Sequence, residues 1–210
     1  MTKAAILLLG AGGHARSCID VIEQEGGFTV IGLVGLREEV GARVVGYPVL
    51  CTDEDLTTAL RDCSHALVTV GQIKTPEPRM RLFAILEQSG CSLPVVVSPR
   101  AYVSQHASVG AGSIVMHGAV VNAGAVVGRN CIINNQSLVE HDAVIADHCH
   151  VATSAVLNSG VRIGEGTFIG SGSTVRQGIT IGARSLIGMG QRVVADCGAG
   201  TQIPSTKGSS

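Results

Sequence analysis

Two histidines carry much of the chemistry open to this 210-residue chain: His141, followed directly by Asp142, and His150 nine residues further on. An unperturbed imidazole titrates near pH 6.5, roughly, so at neutral pH it can take a proton from an oxygen or nitrogen as that atom attacks. The carboxylate of Asp142 could tune that basicity, or could merely solvate a corner, because adjacent side chains seldom face each other. A lone outward histidine is more often a plain surface residue than a base, and His106 and His148 read that way. The other chemical signal is Gly10-Ala11-Gly12-Gly13-His14-Ala15-Arg16 after an apolar run. Free backbone N–H groups at such a glycine-rich turn into a helix favour an anion such as a phosphate.

The elements that position these residues follow from a six-residue aliphatic period. It runs from Val103 through Val109, Val115, Val121, Val127, Ile133, Val139, Ile145, Val151, Leu157, Ile163, Ile169, Val175, Ile181 and Ile187 to Val193 without a missed step. Neither a helix (period 3.6) nor a plain strand (period 2) repeats every six residues, so the segment alternates short strands with turns. This is a hexapeptide β-helix repeat. Small residues recur four places later (Ala119, Ala125, Cys131, Ser137, Ala143, Cys149), and Gly or Asn often one place later (Gly110, Asn122, Gly128, Asn134, Gly164, Gly170, Gly182, Gly188). We expect the latter to supply the φ values that a tight corner requires. The phase points Cys131 and Cys149 inward as core and His141 outward. An aromatic content of 2% suits a thin prism with no room for rings.

Ahead of the repeat, apolar strands and amphipathic stretches alternate. A strand is expected at 4–9, a helix to about Glu25, strands at 28–33, 66–70 and 93–97, and helices at 53–60 and 78–88, which together predict a small parallel α/β sheet. The glycine-rich turn fits a dinucleotide fingerprint only loosely, and no acid follows the second strand, which ends Val34-Gly35-Leu36; NAD is therefore disfavoured. The expected division is a small Rossmann-like α/β domain at 1–96, a β-helix at 97–198 and a flexible Gly/Ser/Thr-rich tail at 199–210. A formal net charge of −1 with scattered Lys and Arg gives no nucleic-acid face. The apolar segment at 4–9 is too short to span a membrane. Seven cysteines without a CxxC pair argue against a disulfide framework or a zinc site and suit a reducing, cytoplasmic compartment.

The glycine-rich turn, the segment Gly71-Gln72-Ile73-Lys74-Thr75-Pro76, the run Ile133 to Asp142 and the stretch from His150 to Val161 together resemble bacterial sugar acetyltransferases of the sialic acid O-acetyltransferase type, within the hexapeptide-repeat acyltransferase superfamily. The resemblance implies a left-handed, three-sided parallel β-helix of about 18 residues per coil, with Cys131 stacked on Cys149. It implies acetyl-CoA as co-substrate, no metal, a sugar or nucleotide-sugar acceptor, and a homotrimer with sites shared between prisms. By resemblance, His141 is the general base and Asp142 its partner. His150, Ser159, Gly170, Ser171, Gly188 and Met189 hold acetyl-CoA, while Gly12, Gly13, His14, Gly71 and Asn134 face the acceptor. Gly35 and Leu36 stand where many relatives carry an acidic pair that reads the nucleotide base. Segments 72–76 and 156–161 look closest to the O-acetylating branch, with N-acetylation of a nucleotide-linked 4-amino sugar as the alternative. Two other classes fit the same prism. A zinc carbonic anhydrase of the gamma type would draw on His117, His141, His148 and His150 but lacks the right spacing, and a non-catalytic binding scaffold remains open because fold does not imply function.

Overall fold

The computed structural model describes residues 3–60 and 63–205. The N-terminal sheet is built from β1 (Ala4–Leu9), β2 (Phe28–Val34), β3 (Arg43–Val44), β4 (Tyr47–Cys51) and β5 (His65–Val68), in the order β3-β4-β2-β1-β5. Its strands are parallel except for the β3–β4 hairpin. That hairpin has no counterpart in the expected elements, because its strands are short and mostly half-exposed. Helix α1 (Gly13–Glu25) ends on Gly26 at φ 82°, a left-handed cap that glycine takes without Cβ strain. Helix α2 is a single turn, Leu56–Ala59, and α3 (Glu77–Ser89) ends on Gly90 in the same way.

From Val96 onward, two-residue strands form three parallel sheets of six, five and seven strands, each sheet taking every third strand of the chain up to Arg192–Val193. Val120 pairs with Leu138 and Leu138 with Val156, so one coil takes 18 residues. This is a left-handed, three-sided β-helix. Its axis is filled by the periodic aliphatics, buried from Val115 onward and half-buried at Val103 and Val109, and by the buried Cys131 and Cys149. The segment expected as a last strand of the α/β sheet, 93–97, contributes only Val96–Val97, and these residues pair with Ile114–Val115 as the first rung of the prism. The expected tail from 199 also differs in part: Gln202–Ile203 pairs with Leu186–Ile187 and extends the prism, while 206–210 lie outside the described residues.

The glycines do two separate jobs, and one differs from expectation. Those one place after the inward residue do not have positive φ; a Cβ on Gly164 or Gly182 would lie 2.3 Å from a backbone nitrogen of the next coil. They are glycine because coils stack closely there. The left-handed corners fall three places after the inward residue, at Gly112, Gly118 and Gly124 but also at Asn130, Asp142 and His148.

The α/β domain sits on the prism face formed by the outward residues of the first rungs. Val96, Ile114, Met116 and Ile132 share one buried cluster with Ala15, Cys18, Ile19 and Ile22 of α1. Burying such apolar surface at about 25 cal/mol per Å² makes this seam part of the fold's core. Inside it, Arg79 of α3 is 1% exposed and donates to the Val70 carbonyl (2.8 Å) and to Asn130 Oδ1 (2.9 Å).

Candidate active site

The C-terminal ends of β1, β2 and β5 open onto a cavity of about 640 Å³, the usual place for a ligand on an open parallel sheet. Gly12 and Gly13 start α1 there. Nothing lies within 4 Å of where their Cβ atoms would be, α1 has no side-chain cap, and no acid occupies its first turn. The helix N-terminus is thus bare toward an anion. Gly71 backs onto His14, whose Cβ lies 3.3 Å from the Cβ that Gly71 lacks. The structure therefore gathers Gly12, Gly13, His14 and Gly71 at one cavity.

His150 lies at the same cavity wall, beneath the α/β domain, on the sheet whose next strands run into Gly170 and Gly188, with which the resemblance grouped it. Its Nδ1–H donates to the Gln72 carbonyl at 2.8 Å, which leaves Nε2 to accept from Asn134 Nδ2 at 3.2 Å. The ring packs edge-on against Phe168. Burial, helped by the Arg79 cation, pushes the His150 pKa down to about 3 and that of His14 to about 4. Both rings are neutral at pH 7. His148, expected at the surface, is buried instead, with Nδ1 accepting from Asn130 Nδ2 at 2.9 Å. Among the described residues no three His, Cys, Asp or Glu side chains come together as a metal site.

A pH effect follows with a definite sign. Unfolded, His14 and His150 take protons near pH 6.5; folded, they resist until about 4 and 3. The stability that they contribute is present above pH 6.5 and is lost as pH falls toward those values, each group adding up to about 1.4 kcal/mol per pH unit. Urea unfolding between pH 7 and 4.5 should show this decline. In His150→Gln, whose amide can still donate to Gln72, the slope should be shallower; an unchanged slope would remove His150 as a cause.

His141 and Asp142 occupy a different corner of the prism. Asp142 has φ 60°, a left-handed conformation unusual for a residue with a Cβ. That turn brings its carboxylate to the imidazole beside it, and Asp142 Oδ2 accepts from His141 Nδ1 at 2.8 Å. Adjacent side chains do face each other here because the backbone is left-handed. One coil earlier, a Cβ on Gly124 would lie 2.4 Å from Asp142 Oδ1, so this glycine makes room for the carboxylate. Glu140 holds the approach: it accepts the His141 N–H at 3.2 Å and Asn122 Nδ2 at 2.9 Å. With Nδ1–H committed to Asp142, Nε2 of His141 is the basic nitrogen, and the ring is 57% exposed. Ser159 lies one coil on, in the same column, where the Gly160 N–H reaches the His141 carbonyl.

The expected residues thus fall on two edges of one prism. His141, Asp142 and Ser159 share one corner. Asn134, Gly170, Ser171, Gly188 and Met189 follow another, which adjoins the face holding His150 and the cavity; Met189 is 63% exposed there. Sequence reasoning missed Glu39, Asp53, Arg79 and Arg81, whose places depend on contacts across the chain rather than on a motif.

A hexapeptide prism with an α/β cap, an anion-ready cavity and an outward His–Asp pair defines a hexapeptide-repeat acyltransferase. The chain matches the family described as PglD N-terminal domain over residues 5–83 and the hexapeptide repeat of succinyl-transferase over residues 160–194. It is similar to a mutant of perosamine N-acetyltransferase from Caulobacter crescentus, solved with CoA and GDP-perosamine, at 32% identity, covering 96% of this chain and 93% of that one with a TM-score of 0.89. It is also similar to the acetyltransferase domain of PglB from Neisseria gonorrhoeae in complex with acetyl coenzyme A: 30% identity, 97% of each chain and a TM-score of 0.88. WeeI from Acinetobacter baumannii, at 20% identity over 97% of each chain and a TM-score of 0.75, shares the fold. Comparison with curated proteins gave no match. The chain belongs to the PglD/PerB-like sugar acetyltransferases of the hexapeptide-repeat superfamily, and it is an acyltransferase.

Proposed function

We propose that this protein transfers the acetyl group of acetyl-CoA to the amine of a nucleotide-linked amino sugar in the synthesis of a bacterial surface glycan. The observation that carries this reading is the His141–Asp142 pair, with Nδ1 held by the carboxylate at 2.8 Å and Nε2 left basic, in a chain aligned over nearly its whole length with an N-acetyltransferase whose complex holds CoA and GDP-perosamine. The same likeness favours the N-acetyl arm over O-acetylation of a sialic-acid-like sugar.

In this reading Gly12, Gly13, His14 and Gly71 hold the nucleotide-linked acceptor, and Gly170, Ser171, Gly188, Met189 and Ser159 form the walls for acetyl-CoA. The neutral His150 and Asn134 line the approach. As the sugar amine attacks the thioester carbonyl, His141 Nε2 takes its proton; the C–N bond forms, the C–S bond breaks, and the imidazolium returns the proton to the leaving sulfur, so that CoA departs as the thiol and His141 is neutral again. The Asp142 carboxylate stabilises the imidazolium while the proton resides there. No covalent enzyme intermediate is needed. Because His141 and the cavity lie on different edges of one prism, a complete site requires a neighbouring copy, and we propose a homotrimer. All seven cysteines are free, in keeping with a cytoplasmic enzyme, and among the described residues no helix is long and apolar enough to cross a membrane.

The test is to offer acetyl-CoA with GDP- and UDP-linked 4-amino sugars, the corresponding free sugars and a free sialic acid, following thiol release and product mass. Acetylation of a nucleotide-linked amine is expected. Acetylation of sialic acid alone would favour the O-acetyl arm, and acetyl-CoA binding without turnover on any acceptor would favour a scaffold.

A further inference from the structure

The end of β2 lacks the acidic residue that would normally face a nucleoside there, since Val34 is followed by Gly35 and Leu36. The structure fills that place from further along the chain. A single 3-10 turn, Arg37–Glu39, folds back so that Glu39 Oε2 accepts the Leu36 N–H at 2.8 Å. A Cβ on Gly35 would lie 2.8 Å from that oxygen, 2.9 Å from Val49 Cγ1 and 3.1 Å from Ala11 Cβ. Glycine at 35 is therefore what allows the Glu39 carboxylate to lie against the strand end, beside the cavity that Glu39 helps to line. Oε1 of Glu39 has no partner among the described residues.

Two further features mark this end of the cavity. Leu36 and Ile73, 62% and 69% exposed, line the same cavity and offer apolar side chains to a flat ring. Arg81, paired with Asp53 at 2.5 Å, stands at the same cavity and offers hydrogen-bond donors. A carboxylate acceptor, guanidinium donors and two apolar covers complement a planar ring carrying a ring N–H next to a carbonyl. Ribose has no flat face for Leu36 and Ile73 to cover. Adenine and cytosine present an unprotonated ring nitrogen where the carboxylate needs an N–H.

Building on the nucleotide-sugar reading above, we propose that Glu39 is the specificity-determining residue for the base, accepting the ring N–H of guanine or uracil through Oε1. It takes over the acceptor role at the end of β2 that Gly35 and Leu36 cannot fill.

Calorimetric titration of GDP, UDP, ADP and CDP, with 2′-deoxy-GDP and 2′-deoxy-UDP as controls, tests the assignment. Wild-type protein is expected to bind GDP or UDP at least about tenfold more tightly than ADP and CDP, because an unpaired buried polar group is what discriminates against the wrong base. In Glu39→Gln the amide oxygen must stay on the Leu36 N–H, so the NH2 group faces the ring N–H, and the preference should fall to within about threefold. Glu39→Asp, which keeps the charge but withdraws the oxygens, should rank between them, and Glu39→Gln, which keeps the bond to Leu36, should melt like wild type. Equal base ranking in wild type and Glu39→Gln would overturn the proposal, as would a Glu39→Gln effect that vanishes with the 2′-deoxynucleotides and so belongs to the ribose. A wild-type protein that binds none of the nucleotides would instead sink the nucleotide-sugar reading itself, and this proposal with it.

Discussion

Replacing His141 with alanine should lower kcat for acetyl transfer by about 10²–10⁴-fold, the usual worth of a positioned general base, while both KM values stay within a few-fold of wild type. The split follows from the geometry. The His141 ring is 57% exposed and its one side-chain bond is to Asp142, so it contributes little to holding either substrate in the ground state. Its work is confined to the moment when the attacking amine becomes acidic, and an interaction made only in the transition state appears in kcat rather than KM. Folding should be unaffected, because truncating an exposed side chain away from caps and core changes stability by no more than roughly 0.5 kcal/mol. Asp142→Asn should cost less, about tenfold. The amide can still hold the ring but no longer offers a negative charge to the imidazolium. Steady-state kinetics at saturating acetyl-CoA separate the cases: undiminished kcat in His141→Ala would move the base elsewhere, and a loss in Asp142→Asn as large as in His141→Ala would make the carboxylate an equal participant.

The prism was legible in the sequence because its information is local. A period of six sets the phase of every residue, and that phase alone put Cys131 and Cys149 inside and His141 outside. What the period cannot carry is contact between distant parts of the chain. His150 sits at an outward phase, yet Gln72, 78 residues earlier, covers it. Asn130 and His148 are buried under α3 by Arg79, 51 residues before Asn130. The glycines were legible as a pattern but not in their cause. Close stacking and left-handed φ both select glycine, and only the backbone distinguishes Gly164, which touches the next coil, from Asp142, which holds a positive φ with a side chain that the chemistry uses. The position of Glu39 is illegible for a related reason: sequence order puts it five residues beyond the end of β2, and only the 3-10 turn folds its carboxylate back onto the Leu36 N–H.

Gly10→Ala should be among the most destabilising single methyl additions in the α/β domain, by roughly 2–5 kcal/mol, and it should abolish nucleotide binding while leaving the His141 corner intact. Gly10 has φ 121°, which an L-residue reaches only with strain, and its Cβ would sit 2.6 Å from Val70 Cγ2 and 2.9 Å from the Val70 backbone nitrogen. The strain costs about 1–2 kcal/mol and the overlap about 1–3 more, a large share of a typical net stability of about 5–15 kcal/mol. The backbone cannot step aside easily: the Gly10 N–H donates to the Val34 carbonyl at 2.9 Å, and the Gly10 carbonyl accepts Thr69 Oγ1 at 2.8 Å. Gly10 therefore pins β1 to β2 and β5 at the point where all three open into the cavity. Gly12→Ala is the matched control, since its Cβ meets nothing within 4 Å and its φ is −76°; it should cost less than about 1 kcal/mol. Urea midpoints of the two variants, with GDP titration of Gly10→Ala against wild type, decide the matter. If Gly10→Ala unfolded at the wild-type midpoint and still bound nucleotide, the tight crossing of Gly10 and Val70 could not be what shapes the cavity.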